Sequence, residues 1–275
     1  MDFLDFNTEN NNLMIVDSLN LAFRFKHANK KEFAEEFWKT VKSLARSYNA
    51  KDIVLASDFG SSWRKKIYPD YKNNRKKLRE EQTEEERLEF EQFLEEVDRC
   101  LSLGERHGAL VFKFPGVEAD DIAALLVAEY SDFYEHTWLI STDADWDLLV
   151  RENVSRFSYR TRKEITLDNW PYIYDQEEHL SIKVLQGDKG DSIPGVEGIG
   201  EKRAYKLLRD YGPTALDVAE AVPIPGNQKF IQNLNNFGMD NIIRNYQLIS
   251  LLDFYEDALI DYANSIREVM NENCS

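Results

Sequence analysis

Cysteine is nearly missing from this chain of 275 residues, and the two present, Cys100 and Cys274, stand far apart in no metal-ligand or redox spacing. That scarcity excludes a disulfide framework and a thiolate metal centre, and it points to a reducing compartment. Histidine is scarce too: His27, His107, His136 and His179 are scattered along the chain. No apolar stretch approaches the ~20 residues that a membrane-spanning helix needs. Residues 1–12 are polar and acidic, without the basic start and apolar run of a signal peptide. They are expected to form a mobile tail on a cytosolic protein with no membrane partner. Basic charge is the last shortage: 34 Lys and Arg face 50 Asp and Glu, for a net charge of −16. As an average, that excess argues against a polyanionic partner.

What is present suits one sizeable α/β core with a smaller attached unit, since 43% of the residues are hydrophobic, with 16 Phe, 13 Tyr and 5 Trp. Three short apolar runs each lead into an aspartate: Leu13–Val16 into Asp17, Ile53–Ser57 into Asp58, and Trp138–Thr142 into Asp143. Continuous β-branched runs of this length read as strands buried on both faces, as in a mainly parallel sheet. Ligands of such sheets bind at the carboxyl ends of the strands. Any one of these aspartates is explained as a helix cap or a turn residue. More acids follow in the same places: Glu118, Asp120 and Asp121 open an apolar-periodic segment, Asp145 and Asp147 follow Asp143, and Asp188 and Asp191 form a later pair.

The charge is strongly segregated. Between Arg64 and Arg79 there are eight basic residues and one acid, Asp70, whereas Glu80 to Asp98 holds ten acids and one arginine. The acidic block reads as a solvated helix with paired charges. The basic block has too few acids to pair with, and its Trp63, Tyr68 and Tyr71 are what a polyanion with stacking bases requires.

Along the chain, residues 13–60 read as strand, helix (33–48) and strand. An insertion over about 61–104, charged and ending in a long helix (84–103), follows an aspartate-ending strand. Strands at 110–114 and 138–142 flank a helix from Glu118, and 154–159 with 164–167 look like a closing, more exposed pair. From Asp168 the pattern is helical, at 176–186, 201–211, 214–221, 227–235 and 240–251. The division expected is therefore an α/β domain over 13–167 and a helical region over 168–275. Within the latter, Gly195, Gly198 and Gly200 precede Lys202 and Arg203 at the start of a helix. Glycines there let backbone amides approach a phosphate, although an ordinary glycine-rich helix–helix turn explains them as well.

If the sheet reading holds, nine carboxylates converge: Asp17, Asp58, Glu118, Asp120, Asp121, Asp143, Asp145, Asp188 and Asp191. A set of oxygen ligands without His or Cys selects Mg²⁺ or Mn²⁺ over zinc. Nine exceed the needs of one octahedral ion, whereas two ions ~4 Å apart can share them and clamp both the attacking and the leaving oxygen of a phosphodiester. With a basic, aromatic block beside them, metal-dependent phosphodiester hydrolysis of a nucleic-acid strand is inferred.

The ordered motifs resemble the bacteriophage 5′ nucleases, or flap endonucleases, over nearly the whole chain from Leu13 to about Phe254. The fragments are Met14-Ile15-Val16-Asp17 with Asn20, Tyr71-Lys72-Asn73-Asn74-Arg75, Gly116 to Asp121, Ser141 to Asp145, Gly187-Asp188 through Asp191 to Val196, and Gly198-Ile199-Gly200. The family also includes the 5′-nuclease domain of bacterial DNA polymerase I and the eukaryotic flap endonucleases. The resemblance implies a PIN-like α/β fold with a helical arch and a helix-hairpin-helix DNA-binding unit. It implies a first metal site built by Asp17, Asp58, Glu118, Asp120 and Asp121, with Asp143 between the sites and Asp145, Asp188 and Asp191 completing the second. Lys72 and Arg75 would contact the scissile phosphate, and Tyr71 would stack on a base. The Gly195–Gly200 loop, with Lys202 and Arg203, would hold the duplex backbone, in many relatives with a potassium ion. The implied substrate is DNA with a 5′ flap, a 5′ overhang or a free 5′ end, met by a monomer in the cytoplasm of a phage-infected bacterium.

Three positions depart from the commonest family pattern: Ser18 and Asn73 stand where phage relatives often carry glycine, and Ser192 where asparagine is common. Asn73 is expected to preserve a left-handed turn. Two alternatives remain open: a nuclease removing RNA primers from RNA–DNA hybrids, since phosphate and stacking contacts serve both strands, and a junction-binding module with weak catalysis.

Overall fold

In the computed structural model the described residues are 11–273, so the first ten residues of the expected tail, together with Cys274, lie outside them. In chain order the elements are β1 (Asn12–Asp17), α1 (Ser18–His27), α2 (Ala34–Ser47), β2 (Ala50–Ala56), α3 (Ser62–Ile67), α4 (Asn73–Glu80) and α5 (Glu84–Arg106). β3 (Leu110–Phe112), α6 (Ala119–Tyr130), β4 (His136–Ile140), β5 (Val154–Ser158) and β6 (Lys163–Ile165) follow. The rest are α7 (Gln176–Gln186), β7 (Gly187–Asp188), β8 (Ile193–Pro194), α8 (Glu201–Tyr211), α9 (Ala215–Ala221), α10 (Lys229–Ile249), α11 (Tyr255–Ala258) and α12 (Ala263–Asn273).

The described residues divide into two units: one formed by those up to 62, by 82–170 and by those from 255 onward, the other by 63–81 and 171–254. This differs from the division expected from the sequence, which kept the whole of 61–104 with the sheet and everything after 168 with the helical region. The basic segment packs within the helical unit, and the last two helices return to the sheet unit.

The sheet unit carries six strands in the order β3-β2-β1-β4-β5-β6, parallel except for β6. Leu13, Met14, Ile15 and Val16 are all fully buried, as expected of a central strand covered on both faces. Side chains alternate across the sheet: Met14, Val16, Ile53 and Leu55 join a cluster with Leu21, Phe25, Phe37, Trp38, Phe93 and Val97 from α1, α2 and α5. α6 lies against β1 and β2 as well, and its apolar residues Ile122 to Val127 are buried without exception. Truncating a residue such as Ile15 to alanine would cost about 2–5 kcal/mol.

Local chemistry explains the helix ends. Asp17 caps α1 through its Oδ1, which accepts from Asn20 N–H. α2 has no cap of its own; the buried Glu96 of α5 accepts from Phe33 and Ala34 N–H at 2.7 and 2.8 Å instead. Thr83 and Glu86 form a reciprocal capping box at the start of α5. β5, expected to be exposed, is buried at every residue, with Phe157 in the core cluster and Arg156 paired with the buried Asp147; of this strand pair, β6 is the one that opens to solvent. The two helices expected at 227–235 and 240–251 are found as the two arms of α10, separated by a kink at Gly238, which has φ 78°.

Candidate metal centre and nucleic-acid interface

Strand order reverses between β1 and β4, which places the crevice of a doubly wound sheet at their carboxyl ends. Asp17 is the last residue of β1, Asp58 lies two residues beyond β2, and Asp143 three beyond β4. The side chains are held by short polar ties. Ser141 Oγ donates to Asp17 Oδ2 at 2.9 Å and accepts from Asp143 N–H at 3.0 Å, so one hydroxyl links both acids. Asn20 Oδ1 accepts from the Thr142 N–H and hydroxyl and from the Tyr159 hydroxyl, fixing the loop after β4 against α1. Asp58 Oδ1 accepts from Ala119 N–H at 2.6 Å, which joins the end of β2 to the start of α6. There Glu118 is buried and accepts from Ser61 Oγ at 2.9 Å, and Asp120 and Asp121 occupy the first helical turn. Asp145 N–H donates to Asp143 Oδ1.

Electrostatics show how crowded this rim is. Burial first, and then the nearby negative charge of Asp58, pushes the Asp17 carboxyl up to about 8, with Asp143 adding to the repulsion. Hydrogen bonds from Ser141 and Asn20 oppose the rise and are outweighed. Hard oxygen donors with an unbalanced negative charge fit a hard divalent cation. Among the described residues no three Asp, Glu, His or Cys groups are gathered tightly enough to enclose an ion. The repulsion that Asp17 feels from Asp58 and Asp143 places these three carboxylates near one another.

Seven of the nine predicted acids, Asp17 through Asp145, thus belong to the sheet unit. Asp188 and Asp191 belong to the helical one. Asp188 Oδ1 accepts from Gly190 and Asp191 N–H and shapes the turn between β7 and β8. Asp191 is surrounded by the basic segment: the Tyr71 hydroxyl and Arg75 Nη2 each donate at 2.8 Å, and Lys72 Nζ stands at 3.7 Å. Lys72 N–H also donates to the Asp191 carbonyl, and Asn74 Nδ2 reaches the carbonyls of Lys189 and Gly190.

The aromatic residues of the basic block behave differently from the stacking platform read in the sequence. Tyr71 is 3% exposed, Trp63 stacks on Phe254 at 5.7 Å, and Tyr68 lies under Arg244 at 4.6 Å. Each anchors the block within its own unit. Arg64 is also turned inward, its Nε donating to Leu248 O. The left-handed residues of this region are Lys72 and Ser192, with φ 55° and 60°; Asn73 instead begins α4.

At the glycine loop, Gly195 is required by packing. A Cβ there would meet Gln186 O at 1.7 Å. Gly198 has φ 81°, and Arg203 Nη1 donates to its carbonyl at 2.5 Å while the guanidinium lies over Phe230. Gly200 precedes α8 without a side-chain cap, and Lys202 is exposed.

The family described as 5′-3′ exonuclease, N-terminal resolvase-like domain, matches residues 12–180. The flap endonuclease of Escherichia phage T5 is 45% identical over 253 residues, covering 90% of this chain and 86% of that protein. The chain belongs to this 5′-3′ exonuclease family. Two solved members superpose closely. The phage T5 flap endonuclease in a pseudo-enzyme–product complex with DNA and metal ions gives a TM-score of 0.89 at 41% identity, over 96% of this chain and 99% of that one. The T5 5′-exonuclease with zinc ions bound gives 0.90 at 42%, over 96% and 100%.

Within this family member, several supporting roles had no signal in the sequence, even where the residue itself fell inside a motif. Ser141, Ser61 and Tyr159 are common residue types whose roles depend on tertiary contact. Asp147, which follows the Asp143–Asp145 pair, is buried against Arg156, whose guanidinium reaches both its oxygens at 2.5 and 3.1 Å and donates to Ser141 O. Arg156, a charged residue within an otherwise strand-like run, is the signal from which that pair could have been found.

Proposed function

We propose that the chain is a structure-specific 5′ nuclease, hydrolysing phosphodiester bonds of DNA at free 5′ ends, overhangs and single-strand/duplex junctions with the help of divalent cations. The observation that carries this reading is the repulsive grouping of Asp17, Asp58 and Asp143 at the switch point of a doubly wound sheet. Mg²⁺, with Mn²⁺ as a substitute, is the cation that all-oxygen donors favour. When bound, such ions activate water and stabilise charge on the phosphodiester oxygens.

The chain's own residues hold and orient. Asp17, Asp58, Glu118, Asp120 and Asp121 are assigned to the first ion and Asp143 to both. For the second ion the motif resemblance assigns Asp145, Asp188 and Asp191. Lys72 and Arg75 neutralise the scissile phosphate as positioned cations. Tyr71 would have to leave its buried place beside Asp191 to stack on a base. Gly195, Gly198 and Gly200, with Lys202 and Arg203, hold the duplex backbone, and a potassium ion belongs to that loop in this reading. The protein acts as a monomer in the cytoplasm of the infected cell. Among the described residues no helix is long and apolar enough to cross a membrane.

The test is incubation of a 5′-labelled flap duplex with Mg²⁺, with and without chelator, and reading of the product size. Short products from the flap base, lost with chelator, are expected. Cleavage in the presence of chelator, or tight junction binding with no cleavage in Mg²⁺, would overturn the reading. A parallel RNA–DNA hybrid separates DNA preference from primer removal.

A further inference from the structure

We infer that Trp146 is a positioning residue that sets the distance between the two groups of carboxylates on the sheet rim. The inference rests on the metal-dependent reading above and goes beyond it, because Trp146 is neither a donor to a metal nor a contact for DNA.

Its indole Nε1 donates to Asp120 Oδ1 at 2.6 Å, a short charge-assisted bond, and its ring is fully buried. Asp120 stands in the first turn of α6 beside Glu118 and Asp121, and Trp146 stands in the turn after β4, next to Asp145 and three residues after Asp143. One bond therefore ties the acids of α6 to the acids of the β4 turn. The turn itself cannot drift, because Asp147, the next residue, is gripped through both oxygens by Arg156 of β5, and Arg156 also binds Ser141 O at the base of the same loop. The line of contacts runs from β5 through Arg156 and Asp147 to Trp146, and then to Asp120.

A carboxylate in the first turn of a helix has rival donors in the free amides of that turn. The indole captures one oxygen of Asp120 and so fixes the rotamer in which the other can be offered to a cation. Outer-shell donors of this kind alter metal affinity by about 10–100-fold when removed. A ring that merely filled space would leave metal affinity unchanged on loss of the N–H.

Trp146→Phe keeps the ring and removes the donor. The expected result is a Mn²⁺ dissociation constant, measured by calorimetry without DNA, that rises about 10-fold or more, with the same rise in the Mg²⁺ concentration giving half-maximal cleavage. Adding the substitution to Asp120→Asn should produce little further change, since the tie acts through that carboxylate. Unchanged metal affinity in a folded Trp146→Phe protein overturns the inference while leaving the nuclease reading standing; absence of Mn²⁺ binding by the parent overturns the nuclease reading first. A measurement on the parent needs no variant. Of the five tryptophan indole N–H resonances in a ¹⁵N-labelled sample, the one that disappears in Trp146→Phe should shift on titration of the parent with diamagnetic Mg²⁺, and if it does not move, Trp146 has no link to the ions.

Discussion

Asp17 and Asp191 both belong to acid-bearing motifs that the sequence assigns to metal binding, yet the two units hold them in opposite ways. In the sheet unit Asp17 is buried among other acids, and its carboxyl is pushed up to about 8. In the helical unit Asp191 is surrounded by the chain's own Tyr71, Lys72 and Arg75. The sheet rim thus carries an excess of negative charge that a cation from solution would relieve. The β7–β8 turn has already acquired its counter-charge from the protein. A rigid strand end can keep like charges close because the sheet on both sides fixes its backbone, and the resulting strain is tolerated for function. A turn at the surface would relax instead, and here it is pinned by side chains brought from the basic segment.

The comparison breaks most sharply at Asp143. Asp143→Asn should lower cleavage of a labelled flap duplex by about 10³-fold, equivalent to roughly 4 kcal/mol of barrier, while gel-shift binding of the same duplex stays near the parent's. Equal cutting by variant and parent would remove the rim from the mechanism.

Asp17 gives the next effect, and it is one of stability. Its carboxyl is raised from 3.8 to about 8 in the fold. Between those values the folded protein keeps a proton that the unfolded chain has released, so stability is fully present below about 4 and declines as pH rises through about 8. With chelator at pH 8–9, Asp17→Asn should be more stable than the parent by a few kcal/mol, a difference that closes at pH 4. Denaturant midpoints at the two pH values measure it. Mn²⁺ should raise the melting temperature of the parent at pH 8 by mass action and that of Asp17→Asn far less.

In the helical unit the effects are expected to be smaller and salt-dependent. Replacing Lys72 or Arg75 by alanine should flatten the slope of log affinity against log salt by ~1 unit per lost phosphate contact. A salt series of flap-binding isotherms gives the slope; an unchanged value would confine both cations to their role beside Asp191. Thr83→Ala is the smallest, costing about 1 kcal/mol through the lost cap of α5, with the cleavage rate unaltered.

These contrasts also mark what was legible beforehand. β1, β2 and β4 were legible because strands covered on both faces must be continuously apolar, and the acids that follow them could be read by position alone. α1 escaped notice because it starts on the residue after β1 and uses Asp17, already read as a ligand, as its cap. α4 escaped because it buries nothing: Asn73 to Glu80 shows no apolar face. That Tyr71 is buried beside Asp191 was not legible, since a tyrosine among lysines carries no sign of which side it turns. Asn20 and Ser141 fell within the motif fragments without a role, and their contacts, like those of Ser61, Trp146 and Arg156, join segments distant in sequence, which no local pattern reveals.

The central claim, that the acids at the end of the strands gather divalent cations, is tested most directly by anomalous scattering from crystals soaked in manganese. A peak beside Asp17, Asp58 and Asp143 is expected, absent from crystals of Asp143→Asn or much weakened in them. A rim that stays empty at saturating manganese and neutral pH would contradict the account.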